Sequence, residues 1–152
     1  MKTSWIIGLI SIAGLALLNL KKPQKGSENS DLNSDLQPGR NPLPPCPESP
    51  NCIRLSFKLD TQPRILFDTL PLVLEKMKAE EIEINSQTLQ IDAVFRIPVF
   101  GFHDDFTIRI EPGKEGGPIL HLSSRSRVGR GDLGVNRRRV KTFFRILNSY
   151  LN

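Results

Sequence analysis

The residues with the most chemical potential lie in Ser123–Val140, SSRSRVGRGDLGVNRRRV, where six arginines, three glycines, one aspartate and one asparagine stand together. Guanidinium groups hold phosphates and carboxylates through forked N–H donors, so the chemistry this stretch suggests first is anion binding. Arg137, Arg138 and Arg139 open an apolar helical pattern, at the end of a helix where the dipole favours anions over cations. Such a placement calls for a compensating anion. It is either internal (Asp104, Asp105 or Asp132) or an external phosphate or carboxylate held with the backbone amides that follow Gly134. The candidate ligand-binding residues are accordingly Arg125, Arg127, Asp132, Asn136, Arg137, Arg138 and Arg139. Asp104, Asp105, Ser124 and Ser126 are candidate supporting residues. Consecutive helical residues fan out by ~100°, so the three arginines cannot all serve one ligand. At least one should turn inward to Asp104 or Asp132, and at least one should face solvent or a cleft.

Other chemistries find less to work with. Asp104 and Asp105, within Phe100–Phe106 (FGFHDDF), sit on an alternating strand pattern and point to opposite faces. They do not by themselves form a paired-carboxylate site. Asp104 follows the parity of Phe106, Ile108 and Ile110, so it is a carboxylate on an apolar face and needs a partner. Ser123, Ser124 and Ser126 lack a Gly-x-Ser-x-Gly elbow, and no motif ties His103 or His121 to them. Gly129–Gly134 lacks the Lys-Ser/Thr of a nucleotide loop and the strand–helix setting of a dinucleotide fingerprint. No catalytic residue, metal or cofactor is assigned. Nucleic acid is a poor fit, because the nearby aromatics Phe143, Phe144 and Tyr150 belong to an apolar helix stripe.

The charge distribution agrees with a local anionic partner. Ser123–Arg145 carries eight basic residues and one acid, net +7, whereas the other 13 basic and 15 acidic residues net −2. A field of one sign confined to one segment suggests an anionic partner; a solvated basic face, or arginines satisfied by the domain's own acids, is the alternative.

Cys46–Cys52 (CPESPNC) closes a ring of seven residues stiffened by two prolines. A disulfide is the expectation, worth about 2–2.5 kcal/mol on the chain-entropy model; free thiols are the alternative. Zinc would require two further ligands at useful spacing, and there are no other cysteines.

Taken in order, CPESPNC, FGFHDDF and the arginine-rich segment resemble the domain-of-unknown-function family 1499 (DUF 1499), over roughly Cys46 to Leu151. The glycines, Asp132, Asn136, the arginines, Asp104 and Asp105 stand where that family's signature stands. The resemblance implies no particular reaction.

The elements that must position these residues follow from periodicity. Residues 1–20 include Trp5–Leu18, fourteen residues without a charge, extending to 18 from Thr3 to Leu20. That length suits a membrane anchor, with a cleaved signal peptide as the alternative. Residues 21–45 are polar and proline-rich and read as a flexible tether. Residues 46–152 form the globular domain. In it, Ile53–Leu59 is a possible short entry strand, and Asp60 or Thr61 should cap a helix carrying Leu66, Leu70, Val73, Leu74 and Met77. Pro71 either kinks or restarts this helix. Four strand patterns follow: around Ile82–Ile84, Leu89–Ile97, Phe102–Glu111 and Ile119–Val128. A final helix places Val140, Phe143, Phe144, Leu147, Tyr150 and Leu151 on one stripe.

The expected fold class is α+β: an antiparallel four-stranded meander with helices packed on one face, a two-layer sandwich, preceded by the N-terminal anchor. The hairpin register should pair Ile110 with Leu120, Ile108 with Leu122, Phe106 with Ser124, Asp104 with Ser126 and Asp105 with Arg125, as an exposed ion pair.

The functional expectation is a membrane-tethered, non-catalytic domain outside the cytoplasm, binding an anionic small molecule, lipid headgroup or acidic protein. Two other readings stand beside it. One is a structural or assembly module in which the motif only holds the fold together. The other is an undescribed enzyme centred on Asp104, Asp132 and the arginines.

Overall fold

The computed structural model describes residues 41–98, 100–113 and 117–152. Their order is β1 (Cys52–Lys58), α1 (Pro63–Lys76), β2 (Glu81–Asn85), β3 (Gln90–Arg96), β4 (His103–Glu111), β5 (Ile119–Ser126) and α2 (Val135–Leu151). The strands form one antiparallel sheet in the order β1-β5-β4-β3-β2. The architecture is thus α+β, with five strands rather than four. β1 completes the sheet by pairing with β5 at the far edge, Leu55 opposite Leu122 and Phe57 opposite Leu120. β1 is the possible entry strand Ile53–Leu59: Ile53, Leu55 and Phe57 alternate with Arg54, Ser56 and Lys58 and face the core, Phe57 buried and the other two partly so. Its place in the sheet is what the four-stranded expectation lacked.

β3 and β4 are made by strict alternation. In β4, Asp104, Phe106, Ile108 and Ile110 are buried beneath the helices while His103, Asp105, Thr107, Arg109 and Glu111 are half-buried on the other face. The β4–β5 register is the expected one, from Ile110–Leu120 down to Asp104–Ser126. A slip of one residue would turn every apolar side chain out of the core.

Both helices lie on one sheet face, α2 against β5 and β1, and α1 against β3 and β4. α1 buries Leu66, Phe67, Leu70, Val73 and Leu74. It runs unbroken through Pro71 and starts after Gln62, which makes no side-chain cap bond; neither Asp60 nor Thr61 caps it. Pro63, with its fixed φ and no N–H to satisfy, begins the helix instead. α2 buries Val140, Phe143, Ile146 and Leu147, with Phe143 packed on Phe106 and Phe144 on Phe57. Full burial of each such side chain is worth about 1.5–3 kcal/mol. Tyr150 departs from the expected stripe: it is exposed, with Lys76 Nζ 5.4 Å above its ring.

Ahead of β1, Asn41 Nδ2 donates to Leu55 O, and Leu43 is buried. The expected anchor and all but the last residues of the tether lie outside the described residues. Among the described residues no helix is long and apolar enough to cross a membrane.

Candidate functional site

The three segments singled out in the sequence meet at one end of the sheet. Cys46 and Cys52 are joined by a disulfide, so the ring of seven is closed. Asn51, inside that ring, is buried and ties it to the arginine-rich segment: its Nδ2 donates to Gly129 O at 2.6 Å and its carbonyl accepts from Ser126 N at 3.0 Å. The turn before β4 ends beside the same place, with Arg127 N donating to His103 O at 3.1 Å.

Beneath α2 these connections converge on a polar cluster inside the apolar layer. Asp104, Ser124, Ser126 and Asn136 are all buried. Asn136 Oδ1 accepts from Ser124 Oγ at 2.5 Å, and its Nδ2 donates to Ser126 Oγ and to Asn51 O, both at 3.0 Å. Arg139 completes the cluster: Nη1 donates to Asn136 Oδ1 at 2.9 Å, Nη2 stands 2.8 Å from Asp104 Oδ2, and the guanidinium lies over the Phe95 ring. The Arg139–Asp104 contact is an ion pair by distance without hydrogen-bond alignment. A buried charge of this kind is tolerable only with an opposite charge beside it.

Asp132 answers the helix dipole. Its carboxylate accepts from Gly134 N at 2.9 Å and Asn136 N at 2.7 Å. Partial burial acts to raise its pKa, but the amides of Asn136 and Gly134 prevail and hold the carboxyl below its ordinary value. Gly134 has φ 75°, a left-handed conformation that glycine adopts without strain, and this turn is what brings both amides onto one carboxylate. The anion at the start of α2 is therefore the chain's own.

The arginine fan divides as its geometry requires. Arg139 turns inward; Arg138 is exposed and donates to Leu133 O at 2.9 Å; Arg137 and Arg130 are exposed. Arg125 and Arg127 lie on the opposite face of the sheet. Arg125 does face Asp105 in register, yet the ion pair Asp105 makes is with the diagonal neighbour Arg127, at 2.8 Å. A long side chain reaches a diagonal position across strands as readily as the direct one. Asp105, Arg125 and Arg127 help to line a cleft of about 590 Å³ on this open face, with Glu81, Asp92 and Thr107. Neither Asp104 nor Asp132 belongs to it. The Asp92–Thr107 bond at 2.6 Å in its lining has no signal in the sequence, and the only signal for Asn51 is its place inside the CPESPNC ring.

On the same face His121 is buried, with Nδ1 2.8 Å from Ser56 Oγ and Nε2 3.4 Å from Glu111 Oε2. Burial lowers its pKa, against the pull of Glu111. Among the described residues no three of His, Cys, Asp and Glu are grouped to hold a metal ion.

Comparison with known proteins agrees with the sequence resemblance. The model of the family described as protein of unknown function (DUF1499) matches residues 42–147. No curated protein matches the sequence. Among solved structures, Ara h 8.0201 is similar at 14% identity and TM-score 0.46, covering 66% of this chain and 97% of that one. Protein CV1439 from Chromobacterium violaceum is similar at 15% identity and TM-score 0.42, covering 66% and 96%. The protein of unknown function SA2116 from Staphylococcus aureus gives 9% and 0.34, covering 64% and 93%. With TM-scores below 0.5, these likenesses establish neither fold nor function.

Proposed function

We propose, for a chain that belongs to the DUF1499 family, a non-catalytic domain, tethered to a membrane and lying outside the cytoplasm, that binds an anionic partner through the outward half of its arginine-rich segment. The observation that carries this reading is the division of charges at the start of α2. Asp132 is taken by two backbone amides and Asp104 by Arg139, while Arg130, Arg137 and Arg138 stand exposed with no ion pair among the described residues. The inward half acts as a clasp, so the alternative of a structural module describes that half and not the whole segment. The placement outside the cytoplasm is supported by the Cys46–Cys52 disulfide, which persists in oxidising compartments. The tether is supported by the uncharged run from Thr3 to Leu20.

Titration of the full chain in neutral detergent micelles with inorganic phosphate and pyrophosphate, followed by amide chemical shifts, tests the reading. Replacing Arg130, Arg137 and Arg138 together by Met should weaken binding by about tenfold or more and leave the melting temperature unchanged. Equal binding by parent and triple variant, or none by the parent, would overturn it.

A further inference from the structure

The end of the molecule that carries the exposed arginines also carries apolar side chains that folding does not use. Phe100, Phe102, Val128 and Leu133 are between 44% and 85% exposed. They belong together: Phe102 and Val128 each lie one residue beyond the point where Arg127 N bonds His103 O, Phe100 stacks on Phe102 with centroids 5.8 Å apart, and Leu133 sits in the loop that leaves Val128 for α2. By strand parity Phe102 and Val128 should have been core, with Phe106 and Leu122. Both are exposed instead.

Leu133 is the clearest case. It is the most exposed of the four, and its backbone is left-handed, φ 49°. Glycine or asparagine would adopt that conformation at less cost. A leucine there incurs strain and gains no burial in the domain itself, so its benefit lies outside it. Arg96 reaches Gly101, between Phe100 and Phe102, Arg138 donates to Leu133 O, and Arg130 and Arg137 stand three and four residues either side of Leu133; all four arginines are exposed. Of the acids at this end, Asp132 is engaged by the α2 amides, Asp105 by Arg127, and Glu80 stands beside His103, while Glu48 of the cysteine ring is exposed and the arginines outnumber it.

We infer that this end of the domain docks on an anionic lipid bilayer, with Phe100, Phe102, Val128 and Leu133 entering the interface and the arginines meeting the headgroups. The inference rests on the anion-binding reading above and specifies its partner. Apolar tips framed by cations suit a surface that is apolar just below a layer of negative charge. A soluble anion would satisfy the arginines and leave the four apolar side chains in water.

Full-length protein in proteoliposomes provides the test. In a Trp5→Phe background, a single reporter is introduced by Leu133→Trp or, at the opposite end of α2, by Tyr150→Trp. Vesicles contain phosphatidylglycerol or phosphatidylcholine alone, each with lipids brominated high on the acyl chain. The L133W reporter should shift to the blue and lose emission in phosphatidylglycerol vesicles only, and Y150W should do neither. Exchanging Phe100 and Phe102 for Ser should abolish the L133W response without lowering the melting temperature. No quenching of L133W, equal quenching of both reporters, or equal quenching in phosphatidylcholine would overturn the inference. If phosphate titration still shows arginine-dependent binding in that event, the anion site stands and only the bilayer is wrong. Loss of both would remove the reading on which it rests.

Discussion

Each of the two consecutive aspartates of β4 has an arginine 2.8 Å away, Arg139 for Asp104 and Arg127 for Asp105. The first pair lies under α2 with its side chains 9% and 0% exposed; the second lies on the open sheet face at 47% and 46%. Water surrounds and screens the second pair, so its attraction adds little to what solvent already supplies. The first pair has no such alternative. Its two charges depend on each other and on Asn136, and removal of either strands its partner. Distance is the same in the two places, and alignment favours the exposed pair, where Arg127 Nε donates to Asp105 Oδ1; burial decides what the contact does. The same contrast runs through the arginine-rich segment, where Arg139 is part of the fold and Arg137 and Arg138 are exposed.

The largest expected effect follows from the buried pair. Arg139→Met keeps the length of the side chain but leaves Asp104 uncompensated, and unfolding in denaturant should show a loss of about 3–5 kcal/mol. An unchanged midpoint would place the two aspartates on the same footing.

Next comes the cysteine ring, which holds Asn51 against Gly129 and Asn136. Reduction, or replacement of Cys46 and Cys52 by Ala, should cost about 2–2.5 kcal/mol for a ring of this size. Amide exchange should quicken around Asn51 and at the start of α2, while the Asp105–Arg127 face stays protected as before.

Asp132→Ala removes the acceptor of two α2 amides and should cost about 0.5–2 kcal/mol, as loss of a helix cap does. Its pH signature has a definite sign. The folded pKa of Asp132 lies below 3.8, so its contribution is complete above that value and disappears as pH falls through the folded pKa. His121 acts earlier. Its folded pKa lies below 6.5, so the unfolded chain takes up the proton first and stability declines as pH drops from about 6.5 toward the folded pKa. His121→Asn should remove the upper step of a stability–pH profile, and Asp132→Ala the lower.

The smallest effect is expected on the open face. Arg127→Met should leave the melting temperature within error, and added salt should change neither protein.

Much of this arrangement was legible because alternation dictates it. The opposite faces of Asp104 and Asp105, the Ile110–Leu120 register and the inward turn of one arginine follow from side-chain geometry alone. What sequence could not supply depends on contacts distant along the chain or on side-chain reach. β1 pairs with β5 across sixty intervening residues, so the alternation of Ile53, Leu55 and Phe57 marks a strand without saying which strand it joins. Asp105 chooses Arg127 over Arg125 through rotamers that no pattern encodes. Phe102 and Val128 keep the parity of the core yet are exposed, because parity gives the face of the sheet and not how much of that face is covered. Asn51 owes its burial to the disulfide ring and to Asn136, a partner 85 residues away.

A pair of double-mutant cycles tests the division between the two aspartates most directly. One cycle combines Asp104→Leu with Arg139→Met, the other Asp105→Leu with Arg127→Met, each read by equilibrium denaturation. The buried cycle should show strong coupling: the double variant loses far less stability than the sum of its single variants, because removing both charges leaves neither stranded. The exposed cycle should show coupling within error. Equal coupling in the two cycles, or stronger coupling on the open face, would contradict the account.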